Sequence, residues 1–469
     1  MCSIRKSILT LVTSVVAVCS SSAQIVLPAI FTDGMVLQRN SNVKIWGWGN
    51  PSEKMCVVGS WNKSDTIRTT VNNQGQWELF LPTSQAGGPY EIQILGRNEV
   101  KHINNVMLGE VWLCSGQSNM EWSVNSGIYN GEESVRNADC NNIRILHIPK
   151  QGASSPQVNV STRWEVSSPE SMRKTSATAY FFARCLTQEL NVPVGIIVAA
   201  WGGTPAEVWT PEEVVMNDTV LSRNKYKEYP WWPIKPGVLF NQMINPIIPY
   251  RLAGCIWYQG ESNHENATSY SLLMTKLVDE WRKRFSQDFP FYYVQIAPHT
   301  YKSKNNTPAL LREQQQLMLD KVENSGMINI SDLVDDVKDI HPRNKKDIGE
   351  RLAFMVLDRV YGKFTKPYES PFVKDACLKG RNIIINFGGN FEKLISVSKN
   401  IIGISVVDDN GAHENIKCKI KDKQLIIPVR GLKSPMKVYY CFNDSVIGSL
   451  RSNDMMPVLP FRIENLERK

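Results

Sequence analysis

A chain of 469 residues is too long for one ordinary core, and 42% hydrophobic content with 29 glycines and 25 prolines excludes a disordered or fibrous protein. The formal net charge of +8 is not gathered into any dense Lys/Arg block, which argues against a nucleic-acid partner. Thirteen tryptophans offer flat faces to sugar rings, although indole is equally ordinary core filling.

At the start of the chain, Arg5 and Lys6 precede an apolar run over residues 8–18, followed by Ser20-Ser-Ser-Ala23. That layout predicts a secretory signal peptide over residues 1–23, cleaved after Ala23. Cys19 opens a lipoprotein alternative, which Val18 just before it disfavours. Without Arg5 and Lys6 the charge of +8 falls to +6. No later segment approaches the ~20 apolar residues of a membrane helix. The expectation is an exported protein, periplasmic or extracellular, with no membrane span. Beyond Ala23 no cysteine pair has Cys-x-x-Cys spacing and no His/Cys cluster has zinc spacing, so no metal site is expected. Cys114 and Cys255 lie in apolar stretches and read as buried thiols.

Residues 24–106 carry short alternating runs (43–48, 56–61, 76–81, 90–95) punctuated by Asn-Gln-Gly and Ala-Gly-Gly-Pro. Evenly spaced strands without a helical period predict an N-terminal β-sandwich. Over residues 107–364 the rhythm changes. Apolar strands at 110–114, 194–199, 254–258, 291–296 and 327–330 alternate with helical stretches at 177–190, 269–285 and 347–360. Strands feeding helices predict an α/β layer with a parallel sheet, whose site lies beyond the carboxyl ends of the strands. From 365 to 469 the short strands return (382–386, 401–407, 423–428, 437–441), predicting a C-terminal β-rich module.

Four segments at strand ends bear chemistry. In Glu110-Val-Trp-Leu-Cys-Ser-Gly-Gln-Ser-Asn-Met-Glu-Trp122 an apolar strand ends in small residues and then offers Ser118. The Gly-x-Ser-x-Gly elbow is absent. In Trp201-Gly-Gly-Thr204 the glycine pair lets backbone N–H groups approach a ligand, as an oxyanion site requires. In Gln259-Gly-Glu-Ser-Asn263 the polar side chains would be wasted in a core and useful at a cleft. In Asp332-Leu-Val-Asp-Asp-Val-Lys-Asp-Ile-His341, carboxylates crowd ahead of His341. A serine hydroxyl becomes a nucleophile when a neutral imidazole takes its proton, and a third group orients the imidazole. Ser118 and His341 fit those two roles. Asp339 is the favoured orienting acid, with Asp332, Asp335, Asp336 or a backbone carbonyl as alternatives.

Taken in register, these four blocks resemble the sialate O-acetylesterase family of the SGNH hydrolases. The resemblance extends to residues 27–39, to Phe240-Asn-Gln-Met-Ile-Asn-Pro246, to Leu311-Arg-Glu-Gln314 and to His341-Pro-Arg-Asn-Lys-Lys346. It implies a flavodoxin-like SGNH catalytic layer flanked by β modules, and removal of O-acetyl groups from sugars without a cofactor. By position Ser118 matches the family's nucleophile, His341 its base and Gly202 its oxyanion glycine. The sequence departs from the SGNH pattern Gly-x-Asn-Asp at the third block, leaving Asn263 or Gln259 as the further oxyanion donor. It departs again where Lys338 stands three residues before His341, the usual place of the acid.

The expected reaction is removal of acetyl from O-acetylated sialic acid, foremost at the 9-position of its glycerol side chain. The rivals are acetylxylan or another acetylated glycan, and a carbohydrate-binding protein with a vestigial esterase site. A planar guanidinium matches a sugar carboxylate well, which makes Arg312 a candidate substrate-binding residue.

Overall fold

The computed structural model describes residues 25–63, 65–303, 305–433 and 436–468, so the signal peptide expected over residues 1–23 lies outside the described residues. The strands are β1 Val36–Gln38, β2 Asn42–Trp48, β3 Lys54–Gly59, β4 Thr66–Thr70, β5 Gln76–Pro82, β6 Gly87–Leu95, β7 Val100–Gly116, β8 Cys140–His147, β9 Trp164–Ser167, β10 Val194–Ala200, β11 Gly254–Tyr258, β12 Phe291–Val294 and β13 Ser325–Ile328. The helices that position the site are α1 Ser118–Glu121, α2 Ala177–Leu190, α3 Tyr270–Phe285, α4 Thr307–Lys321 and α5 Lys345–Tyr361.

The central sheet has the order β13-β12-β11-β7-β10-β8-β9, parallel from β13 to β8 with β9 antiparallel at one edge. The α/β reading with all-β flanks therefore holds. Strand β8, which the pattern reading passes over, lies between β10 and β9. Its run Cys-Asn-Asn-Ile-Arg-Ile-Leu-His is interrupted by Arg144, whose side chain is nevertheless buried.

Strand β7 organises the molecule. Its first half pairs antiparallel with β6, and its second half lies between β10 and β11. Residue 106 thus falls inside one continuous strand. Because successive side chains point to opposite faces, Val111 and Leu113 enter one core while Trp112 and Cys114 enter the other. The first core is continuous with the packing of β2, β3, β5 and β6; the second is filled by α2 and α5. Helix α2 begins where the Ser176 hydroxyl accepts from the Ala179 N–H at 3.1 Å, and α5 where Asn344 accepts from the Asp347 N–H at 3.2 Å. Both are N-cap contacts.

After residue 365, antiparallel strands including Asn382–Gly388, Gln424–Pro428, Ile404–Asp408 and Lys437–Tyr440 enclose a third core around Ile383, Ile385, Val406 and Val438. Cys114 and Cys255 are buried and unpaired, and burial pushes both thiols well up. Among the described residues no helix is long and apolar enough to cross a membrane.

Candidate active site

Three parallel strands end at one level. Gly116 on β7 lies opposite Ala200 on β10 and Tyr258 on β11. That register draws together Gln117-Ser118, Trp201-Gly202-Gly203 and Gln259-Gly260-Glu261, which are far apart in sequence. Gly116 has φ +138°, and a Cβ there would stand 2.2 Å from the Tyr258 carbonyl oxygen, so a side chain would force the strand ends apart. The chain then turns into α1 with Ser118 as its first residue. The first N–H groups of a helix have no intrahelical acceptor, so the Ser118 amide points out of α1 at the nucleophile's own position.

His341 arrives on the connection from β13 to α5. Its Nε2 lies 2.9 Å from Ser118 Oγ, a hydrogen-bond distance. The imidazole stacks on Trp122, centroids 4.1 Å apart with planes at 19°. Asp339 Oδ1 accepts from the His341 backbone N–H at 3.0 Å and stands 3.6 Å from Nδ1. The latter is ion-pair range and too long for a hydrogen bond. Of the alternatives, Asp332 is engaged in a two-pronged pair with Arg351 at 2.8 Å, and Asp336 accepts from the Lys338 N–H at 2.9 Å. Burial, joined by the charge of Lys345, brings the imidazole down to about 4 against the opposing pull of Asp339. His341 is therefore a free base throughout the neutral range.

Ser118 and His341 sit in a cleft of about 740 Å³ that also takes in Trp122, Trp201, Gly202, Tyr229 and Trp232. Gly202 is beside the nucleophile, because a Cβ on it would lie 3.1 Å from Ser118 Cβ. Its N–H donates to Glu121 Oε2 at 2.5 Å, and Glu121 Oε1 accepts from Lys150 Nζ at 2.7 Å. The amide expected to receive an oxyanion is thus occupied by a carboxylate from α1. Sequence reading passes over Glu121, although a residue three after the nucleophile shares its helix face.

Three expectations are corrected. Neither Asn263 nor Gln259 borders the cleft. Asn263 Nδ2 donates to Glu207 Oε2 and the Tyr226 hydroxyl, each at 2.9 Å, while its Oδ1 accepts from the Ala206 N–H and from Gln259. Gln259 Nε2 donates to Asn263 Oδ1 at 2.7 Å and to the Thr204 carbonyl at 3.2 Å, and its Oε1 accepts from Tyr270. Their polarity satisfies a buried network that fixes the loop after β10, a demand that strand-end position alone does not reveal. Arg312 is likewise withdrawn. It is 2% exposed, and its guanidinium donates to the carbonyls of Cys441, Asn443 and Asp444. It ties α4 to the C-terminal strands.

A serine hydroxyl bonded to an imidazole at the carboxyl edge of a parallel sheet is the layout of an SGNH-type esterase. The family model for carbohydrate esterase, sialic acid-specific acetylesterase, matches residues 108–358, and the chain belongs to that family. It is a carboxylic ester hydrolase that deacetylates sugars. Among relatives, human sialate O-acetylesterase is 30% identical over 388 residues, spanning 75% of this chain and 74% of the relative. The Pongo abelii sialate O-acetylesterase is 29% identical over 388 residues, with the same shares. The crystal structure of a carbohydrate acetylesterase from Xanthomonas citri superposes with a TM-score of 0.85 at 29% identity, covering 94% of this chain and 100% of that one.

Proposed function

We propose that the protein is an exported serine esterase that hydrolyses the acetyl ester of O-acetylated sialic acid, the 9-O-acetyl ester foremost. The 2.9 Å contact between Ser118 Oγ and His341 Nε2 carries this reading. His341 takes the Ser118 proton as Oγ attacks the acetyl carbonyl, and the N–H groups of Ser118 and Gly202 receive the oxyanion. Collapse of that intermediate expels the sugar oxygen, which His341 protonates. Water, activated by the same imidazole, then releases acetate and restores Ser118. For the first step the Glu121 carboxylate gives up the Gly202 N–H. Asp339, in ion-pair range of Nδ1, favours the imidazolium that forms transiently. A binding protein with a vestigial site would need neither the serine nor the imidazole.

The cations bordering the cleft are Lys150, Lys174 and Lys227, a field suited to an anionic sugar. A second reading, deacetylation of a polysaccharide, is favoured by the aromatic wall. Trp232 lies against Gly203 and is edge-to-face with Tyr229, and Trp231 beside it is 61% exposed. Such faces suit further sugar rings of a chain. Acetate release from O-acetylated sialic acid should exceed that from acetylated xylan; the reverse order overturns the sialate reading. Export is supported by residues 1–23, and cell fractionation that finds the protein only in the cytoplasm overturns it.

A further inference from the structure

Lys345 lies four residues after His341, in the segment His341-Pro-Arg-Asn-Lys-Lys346. It is the first residue of α5 and has no exposed surface at all. Withdrawing an ammonium from water is costly unless partners inside the protein offset the lost hydration. Its Nζ donates to Asn119 Oδ1 at 2.6 Å. Asn119 is the residue after the nucleophile, and its Nδ2 donates to the Ile340 carbonyl at 3.1 Å and to Glu261 Oε1 at 2.6 Å. Ile340 is the residue before His341. One buried side chain, oriented by Lys345, therefore ties the segment carrying the serine to the segment carrying the imidazole. The same ammonium lies 5.7 Å from the Trp122 ring, whose plane stacks on His341, and 5.2 Å from the Tyr258 ring.

We propose that Lys345 is a positioning residue of the esterase reaction: through Asn119 it locks Ser118 against His341, with its ammonium over the face of the Trp122 ring on which the imidazole stacks. This rests on the Ser118–His341 reading of the site.

The groups facing His341 have opposite effects. From its own loop come Asp339, which favours the imidazolium, and Arg343, which lies 3.3 Å from the other oxygen of Asp339. From α1 comes Ser118, from α5 Lys345, from the loop after β12 His299, and from the loop after β11 Glu261 by way of Asn119. Lys345 and His299 oppose a proton on the imidazole. Burial lowers Lys345 itself to about 7, with Glu261 and Asp339 pulling the other way. The ammonium is therefore charged below pH 7, on the side where His341 would otherwise protonate.

The test is kcat/KM for a neutral aryl acetate between pH 3.5 and 8, with each profile normalised to its own alkaline plateau. Wild-type activity should fall only through about pH 4. In Lys345→Met the acid limb should move up by one pH unit or more, so that relative activity at pH 4.5 drops about three- to tenfold. Lys345→Arg, which retains the charge, should restore the limb whatever its absolute rate. An unshifted limb in folded Lys345→Met overturns the proposal. So does a wild-type limb at the ordinary histidine value of about 6.5, which requires no variant. Ser118→Ala serves as the blank: activity surviving in it overturns the serine-esterase reading itself, an outcome separate from the position of the limb.

Discussion

Arg312 and Lys345 are both cations withdrawn from solvent, yet they face different things. Arg312 reaches only backbone carbonyls of Cys441, Asn443 and Asp444, at the contact between α4 and the C-terminal strands. Lys345 reaches Asn119, the side chain next to the nucleophile. The chemistry of the residue type points the wrong way in each case. Guanidinium is the better match for a substrate carboxylate, and lysine in a basic run reads as a solvated face. What a buried charge does is decided by the groups it meets, and those come from chain segments more than a hundred residues distant for Arg312 and for Lys345 alike.

The largest expected effects sharpen the cleft side of that comparison. Ser118→Ala and His341→Ala should each lower kcat/KM by about 10³-fold or more while the melting temperature stays near wild type. Near-normal turnover by either folded variant would remove the site from this cleft. On the other side, Arg312→Ala leaves three carbonyls without their donor and should cost about 3 kcal/mol of stability, read as a lowered denaturation midpoint. Its residual kcat/KM should change equally for O-acetylated sialic acid and for a neutral aryl acetate. A loss confined to the sugar acid would return Arg312 to substrate recognition and break the contrast.

A smaller effect is expected at Glu121. Its carboxylate occupies the Gly202 N–H, so Glu121→Ala frees a donor otherwise held by a bond worth about 1 kcal/mol. A gain of about fivefold in kcat/KM on an aryl acetate is expected, and the lost pair with Lys150, being half exposed, should matter little. A fall of tenfold or more would show that Glu121 assists the reaction. The smallest effect is expected from chelators, which should leave activity unchanged because acyl transfer through serine needs no metal. Inhibition by a chelator, reversed by a divalent ion, would contradict this.

Much of the fold is legible because periodicity reports burial locally. The apolar strands ending at Cys114, Ala199 and Tyr258 announce themselves by composition, and the helix Ala177–Leu190 coincides with the helical stretch between the first two of them. Strand β8 escapes because Arg144 interrupts its apolar run, and only the folded layer reveals that this arginine is covered. Residue 106 is a change of composition and yet the middle of a strand, since β7 keeps one direction while exchanging its partners.

The apolar strands that carry the site, the serine at the end of one of them and the histidine behind a run of aspartates are legible in the sequence alone, since each depends on neighbours within a few residues. Only the tertiary structure decided which polar groups line the cleft. Asn263 and Gln259 are turned into a buried network, Arg312 is turned toward the C-terminal strands, and Glu121 and Lys345 are brought to the reacting pair. The physical reason is that a buried polar group must find a hydrogen-bond partner wherever the chain supplies one, and for these residues that partner was supplied by another strand end or by another module.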